Sequence, residues 1–216
     1  LDAIRDWKNG IVGKLTRGIS QLSSARGVDL IEAYAVFEGS RSIRLQIANP
    51  DRVDLPEILT FNHAILATGS RPAMPEAFGL DDPRIMDSTA ALNIPDIPKR
   101  LLVIGGGYIG LELGSVYAAL GSEVTVVEMS DGLLAGADRD LVRPLAETLN
   151  KRLKSILLST RVESLTSRPS GILARLTGET GSVEEEFDRV LGSVGRRTCS
   201  NDIGLDKTQA VINKRG

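Results

Sequence analysis

Cysteine occurs once in the 216 residues, as Cys199, and histidine once, as His63. A single thiol excludes an intramolecular disulfide, a CxxC dithiol and a cysteine-based zinc cluster. A single histidine excludes an HExxH helix and leaves a Ser-His-Asp arrangement only if His63 itself serves. No metal site and no catalytic residue are therefore assigned. Cys199 reads as an unremarkable thiol, and His63 as a boundary residue with a backbone partner. No apolar run approaches the roughly 20 residues of a membrane helix. The opening LDAIRDWKNG lacks a basic leader followed by an apolar core, so no signal peptide is expected. The net charge of -2 gives no basic footprint for nucleic acid or an anionic membrane surface. A reduced, cytoplasmic setting fits the cysteine usage.

The composition, 42% hydrophobic and 25% charged, is that of a globular chain long enough for one large domain or two small ones. Residues 1–26 read as a helix, because Leu1, Ile4, Trp7, Ile11, Leu15, Ile19 and Leu22 recur at a three-to-four spacing. Gly10, Gly13 and Gly18 each cost this helix up to about 1 kcal/mol, so the stripe is expected to be held by packing. Residues 28–37 and 42–48 alternate as strands around the turn EGSR, a plausible hairpin. A polar break, PDRVDLP, follows. Ala64 to Ala67 reads as a short buried strand running into Gly-Ser-Arg-Pro. Pro72, Pro75, Pro83, Pro95 and Pro98 mark residues 71–98 as a long connector, with a domain boundary near Pro98.

Beyond it the pattern changes. Leu101 to Ile104 is a fully apolar strand, as in a parallel sheet covered on both faces. A helix is expected from about Gly107 to Leu120, capped by Gly121. A second strand covers Val124 to Glu128. A second helix, Asp138 to Lys154, carries Leu141, Leu145, Leu149 and Leu153 on one face, with a kink or late start at Pro144. Strands are expected at about 155–158, 160–167, 171–177 and 187–194, and the run Glu184-Glu185-Glu186 as a solvated turn.

The most informative text is LLVIGGGYIGLELG. Gly105, Gly107 and Gly110 form GxGxxG between a strand and a helix, and an acidic residue, Glu128, ends the next strand, about 20 residues on. Gly105 suits the tight turn out of the strand. Gly107 lets a pyrophosphate approach the backbone, and Gly110 lets helix and sheet pack closely. The helix N-terminus offers free N–H groups and about half a unit of positive charge. A carboxylate at Glu128 accepts hydrogen bonds from both adenosine ribose hydroxyls. It repels a 2′-phosphate, and Met129-Ser130-Asp131 supply no cation to reverse that. The pattern therefore predicts NAD(H) in preference to NADP(H).

Several stretches resemble the flavin-dependent pyridine nucleotide–disulfide oxidoreductases, and within them the branch that oxidises dihydrolipoamide: Ile11–Ile19, FNHAILATGSRP at 61–72, the whole of 85–129, and VGRR at 194–197. The resemblance implies an α/β fold: a Rossmann-like NAD-binding domain with a parallel sheet (99–216), preceded by an incomplete FAD-domain segment of helix plus β-meander (1–98). It implies that Gly105, Gly106, Gly107, Tyr108, Ile109 and Gly110 hold the NAD pyrophosphate. Glu112, on its own merely a helix-surface charge, would lie near nicotinamide and flavin. Glu128 would meet the adenosine ribose, Val162 would flank the adenine, and Gly195 would pack on the nicotinamide side. Thr68, Gly69 and Ser70 would touch FAD, and Ala35 its adenine.

For a complete protein the resemblance implies a homodimer that oxidises a dithiol such as dihydrolipoamide, passing electrons through FAD to NAD+. The family's FAD fingerprint, redox cysteine pair, later FAD motif and His-Glu base are absent from this chain, so the chain alone is expected to be inactive. The stripe of residues 1–26, without the half that would cover it, is expected to be an exposed apolar patch prone to self-association. Gly192-Ser193 and the text Arg197-Thr198-Cys199 depart from the family pattern. The competing readings are a nucleotide-binding module without chemistry, or part of a relative such as an NADH oxidase or mercuric reductase.

Overall fold

The computed structural model describes residues 1–46, 55–75, 78, 81–214 and 216. The chain divides into two compact units. One is formed by 72–196 together with Leu1, the other by 2–71 and 197–216. The expected division near Pro98 differs from this. Residues 72–98 are not a connector but contribute to the first unit, and residues 197–216 return to the second.

In the second unit, α1 (Asp2–Ala25) is a single 24-residue helix, as its periodicity predicts, but none of its residues is buried. The stripe is open, as expected in the absence of the half that would cover it, and Trp7 is 71% exposed. The hairpin is present: β1 (Tyr34–Gly39) pairs antiparallel with β2 (Ser42–Gln46), and β2 with β3 (Ile58–Thr60), giving a meander. Residues 28–33 are not strand. The last two positions of the expected 42–48 strand, and most of the polar break, lie outside the described residues. Ala64–Ala67 is not a strand either, and Ile65 is 95% exposed. A strand needs a neighbour for its N–H and C=O groups, and none pairs with this segment among the described residues. The tail belongs to this unit because edge groups of β1 bond to it. The Phe37 N–H donates to the Ile203 carbonyl at 2.8 Å, and the Tyr34 hydroxyl to the Asp202 carbonyl at 3.2 Å. The half-buried Cys199 donates its N–H to the Gly69 carbonyl. Short strands β4 (Ser70–Pro72) and, later, β13 (Arg196–Thr198) mark where the chain passes between units.

The first unit is a three-layer α/β fold. Its central sheet is parallel throughout, in the order β5 (Ile85–Met86), β12 (Arg189–Gly192), β6 (Arg100–Ile104), β7 (Glu123–Val127), β8 (Ser155–Leu157). Because side chains alternate along a strand, Leu101 and Val103 of β6 face one layer and Leu102 and Ile104 the other. The first layer is helical: α2 (Ser88–Leu92), α3 (Tyr108–Ala119) and α4 (Arg139–Arg152) bury Ala91, Leu111, Leu113, Tyr117, Val142 and Leu149 there. The other is an antiparallel sheet of β9 (Arg161–Arg168), β10 (Gly171–Gly178) and β11 (Gly181–Phe187), which covers the opposite face with Val162, Leu165, Ile172, Leu176 and Phe187.

Three local expectations are corrected. α4 starts at Arg139, ahead of Pro144, so of the two outcomes expected at Pro144 the late start is excluded. Its buried face is Val142, Leu149 and, at the C-cap, Leu153, while Leu141 is 70% exposed. Glu184 to Glu186 lie in edge strand β11 rather than a turn, with Glu184 opposite Arg175 and Glu185 opposite Ala174. Charges on an outer strand keep its free edge from pairing further. The proline-marked segment 71–98 holds β5 and α2. Asp87 caps α2 by accepting the Ala90 N–H at 2.8 Å. It also holds Asp82, whose carboxyl meets Arg84 and the Ser167 hydroxyl. The Arg84 guanidinium holds the Asp82 carboxyl well below the usual carboxylate range, against the opposing effect of burial.

Candidate nucleotide site

In the central sheet the chain runs outward from β6 through β7 to β8, then returns by way of the antiparallel layer to β12 on the other side of β6. The carboxyl ends of β6 and β12 therefore flank a topological switch point, where open α/β sheets form their ligand crevice. A cleft of about 700 Å³ opens there.

The glycine turn leaves β6 at this point. Gly105 takes φ +111°, a conformation that strains any side chain, and a Cβ on it would lie 2.5 Å from the Ser193 carbonyl oxygen. A Cβ on Gly110 would collide with the Gly105 carbonyl and come within 2.5 Å of the Ser193 hydroxyl. A Cβ on Gly107 would meet nothing within 4 Å. Two of the glycines are thus demanded by the fold, whereas Gly107 leaves open space on the cleft side.

Gly107 is the N-cap of α3 and makes no side-chain cap bond; the first intrahelical bond runs from the Leu111 N–H to the Gly107 carbonyl. The N–H groups of the first turn are available to an anion, with the helix dipole behind them.

Glu128, just past β7, is half-buried. Its carboxylate accepts the Gly106 N–H at 2.6 Å and the Ser130 N–H at 2.8 Å. Burial alone would raise its pKa. The bonds from Ser130 and Gly106 outweigh that, and the group sits below the usual glutamate value. It is therefore a fixed anion tied to the glycine turn itself.

Of the residues singled out from sequence, Gly105, Gly107, Tyr108, Ile109, Glu128, Val162 and Gly195 line the cleft together. Gly106, in the turn, and Gly110, in the first turn of α3, are not among the lining residues. Glu112 is exposed on α3 and is not among the lining residues. Thr68, Gly69, Ser70 and Ala35 lie in the other unit: Thr68 and Ala35 are exposed, and Gly69 turns at φ +69°. His63 is exposed rather than at the edge of a buried strand. Among the described residues no cluster of histidine, cysteine and carboxylates could hold a metal, and no helix is long and apolar enough to cross a membrane.

Sequence reasoning missed Ser193, Arg161 and Arg196, which also line the cleft. The Ser193 hydroxyl donates to the Ile104 carbonyl at 2.9 Å, tying the two strand ends together. Gly192 leaves room for Met74, whose Sδ would lie 2.7 Å from a Cβ there. Arg161 arrives from the start of β9, brought close because the Thr160 N–H donates to the Glu128 carbonyl at 3.0 Å. Met129-Ser130-Asp131 after Glu128 carry no cation, and Arg161 reaches the cleft from a strand distant in sequence.

Over residues 2–216 the chain matches the family described as pyridine nucleotide-disulphide oxidoreductase. The dihydrolipoyl dehydrogenase of Haemophilus influenzae is 38% identical over 100% of this chain and 44% of that protein. That of Halobacterium salinarum is 37% identical over 98% of this chain and 44% of its own length. The chain thus spans less than half the length of these relatives. Among solved structures, the HOCl-induced flavoprotein disulfide reductase RclA from Escherichia coli superposes with a TM-score of 0.79 at 26% identity, covering 98% of this chain and 46% of that one.

Proposed function

The chain belongs to the pyridine nucleotide-disulphide oxidoreductases, and from that premise we propose that it is the NAD(H)-binding portion of a flavin-dependent dihydrolipoyl dehydrogenase. One observation carries the reading: the open backbone at Gly107, the uncapped start of α3 and the Glu128 carboxylate share one cleft at the switch point. These residues fit a dinucleotide. The first-turn N–H groups of α3 take the pyrophosphate. Glu128, already fixed by two backbone bonds, presents its remaining lone pairs to the ribose hydroxyls and disfavours a 2′-phosphate. Val162 offers an apolar wall for the adenine, and Gly195, at φ +137° with nothing within 4 Å of a Cβ, leaves room for the nicotinamide end.

Bound there, NAD+ supplies the hydride-accepting ring, as FAD in the complete protein supplies the relay from a dithiol such as dihydrolipoamide. The chain's own contribution is to hold and orient the dinucleotide and to exclude water from part of it. In the complete protein Thr68, Gly69, Ser70 and Ala35 contribute to the FAD site, Glu112 approaches nicotinamide and flavin, and the subunit pairs as a cytoplasmic homodimer. The domain assignment is likewise part of the proposal: residues 72–196 form the NAD-binding unit, and the remainder belongs to the FAD-binding domain.

Because Cys199 is the only thiol, the chain alone acts as a binding module without dithiol chemistry. Lipoamide-dependent NADH formation by this chain would refute that. The direct test is titration of the chain with NADH and NADPH, followed by nicotinamide fluorescence and calorimetry. The expected outcome is saturable NADH binding with NADPH about tenfold weaker or worse, a difference of one like-charge contact near the surface. Absence of NADH binding overturns the reading. Equal NADPH binding overturns the preference alone, and points to Arg161 as the cation that neutralises the 2′-phosphate.

A further inference from the structure

Arg139 opens α4, the position where a cation faces the positive end of the helix dipole and is disfavoured. Its guanidinium is occupied by backbone. Nε donates to the Ala137 carbonyl at 3.1 Å, Nη1 to Leu133 at 2.9 Å, and Nη2 to both Leu134 at 2.7 Å and Ala137 at 2.9 Å. Room for it comes from Gly132, where a Cβ would lie 2.8 Å from Nη1. Within the clamped loop Leu134 holds φ +51°, a left-handed conformation that a leucine adopts only under constraint. On its other side the same loop is tied to the fingerprint, since the Leu134 N–H donates to the Gly106 carbonyl at 2.9 Å. Leu134, Ala135 and Ala137 form a wall of the nucleotide cleft.

We propose that Arg139 is a positioning residue for nucleotide binding. By gathering the Leu133, Leu134 and Ala137 carbonyls, it holds loop 133–137 against Gly106 and so fixes one wall of the cleft. The inference rests on the dinucleotide reading given above. It requires a planar donor fork. A lysine ammonium is a point donor on a flexible stem and cannot serve three carbonyls in the same way.

The test is an NADH fluorescence titration of the full chain and of its Arg139→Ala and Arg139→Lys variants, with thermal unfolding measured alongside. In Arg139→Ala the Kd for NADH rises about tenfold, as expected when one charge-assisted hydrogen bond's worth of preorganisation is lost. Arg139→Lys shows a smaller rise. Low-millimolar guanidinium chloride, far below denaturing concentrations, restores affinity in Arg139→Ala, and equal sodium chloride does not. A merely structural role lowers the unfolding midpoint, leaves the Kd of the folded protein unchanged and shows no guanidinium rescue; that result overturns the inference. If Arg139→Ala does not fold, an unchanged Kd in folded Arg139→Lys overturns it equally. If the unsubstituted chain fails to bind NADH, the dinucleotide reading falls and this inference with it. Binding by the unsubstituted chain together with an indifferent Arg139→Ala removes the inference alone.

Discussion

The two units solve the same problem unequally. In the first, both faces of the central sheet are covered, and residues such as Leu101, Leu102, Val103, Ile172 and Val190 are wholly withdrawn from water. In the second, α1 carries a full apolar stripe and buries none of it, and Ile65 and Leu66 lie open beside the meander. The stripe has the periodicity of a core helix, but periodicity states only that a face is apolar, not that anything covers it. The candidate cleft lies wholly in the unit whose core is closed, as a site held to small tolerances requires. Residues that resemblance assigns to FAD lie in the unit whose apolar surface is open.

The largest expected break in this contrast comes from the first unit's core. Phe187 is 1% exposed and sits where the antiparallel layer meets the parallel sheet. Phe187→Ala is expected to cost about 3–5 kcal/mol in urea unfolding, the loss of a large buried ring plus the cavity it leaves. A cost below about 1 kcal/mol would mean that the antiparallel layer does not anchor this unit, a much smaller effect than buried aromatic truncation gives.

A finer division runs within the fingerprint. Gly110→Ala forces a methyl onto the Gly105 carbonyl and the Ser193 hydroxyl and is expected to cost about 1–3 kcal/mol of overpacking strain. Gly107→Ala adds its methyl to open space at φ −79°, which any residue adopts. Its unfolding midpoint should stay put while NADH affinity falls about tenfold, because the methyl stands where the pyrophosphate approaches. If Gly107→Ala binds NADH normally, the pyrophosphate does not use this turn.

How much of this was legible follows from the range of the interactions involved. The β6–glycine turn–α3–β7 unit was readable because its signals are local: an apolar strand, a turn that demands φ > 0, an apolar helix and an acidic strand end. The face of α3 was not, since Ile109, Leu113, Val116 and Leu120 suggest one stripe whereas Leu111, Leu113 and Tyr117 are buried and Val116 is exposed. The meander's first hairpin was readable from its turn. The remainder depends on a pairing or packing partner that residue type alone does not announce. Glu184 to Glu186 look like a turn until β10 pairs with them. Residues 71–98 look like a linker until β12 recruits β5. Leu141 looks like core until the packing of α4 buries Val142 and Leu149 instead. Arg161, Ser193 and Arg139 enter the cleft or its wall through partners 20 or more residues away or through backbone carbonyls, and residue type alone announces neither.

The smallest expected effect tests the open unit. Leu15 is 65% exposed on α1, so Leu15→Ala removes little buried area and replaces one good helix former by another. Its effect on stability should stay within about 0.5 kcal/mol, against the several expected for Phe187→Ala. Trp7, the single tryptophan, lies on the same stripe and gives an independent reading. At low protein concentration its emission should be solvent-like and barely shift on unfolding, since it is 71% exposed in the folded chain. The two readings have to agree. A blue-shifted emission that grows with concentration, and that Leu15→Ala weakens, would show that a second copy of the chain covers the stripe in solution. The contrast between the units would then be one of folding order rather than of burial, because an apolar face of this size persists bare only while nothing complementary is at hand.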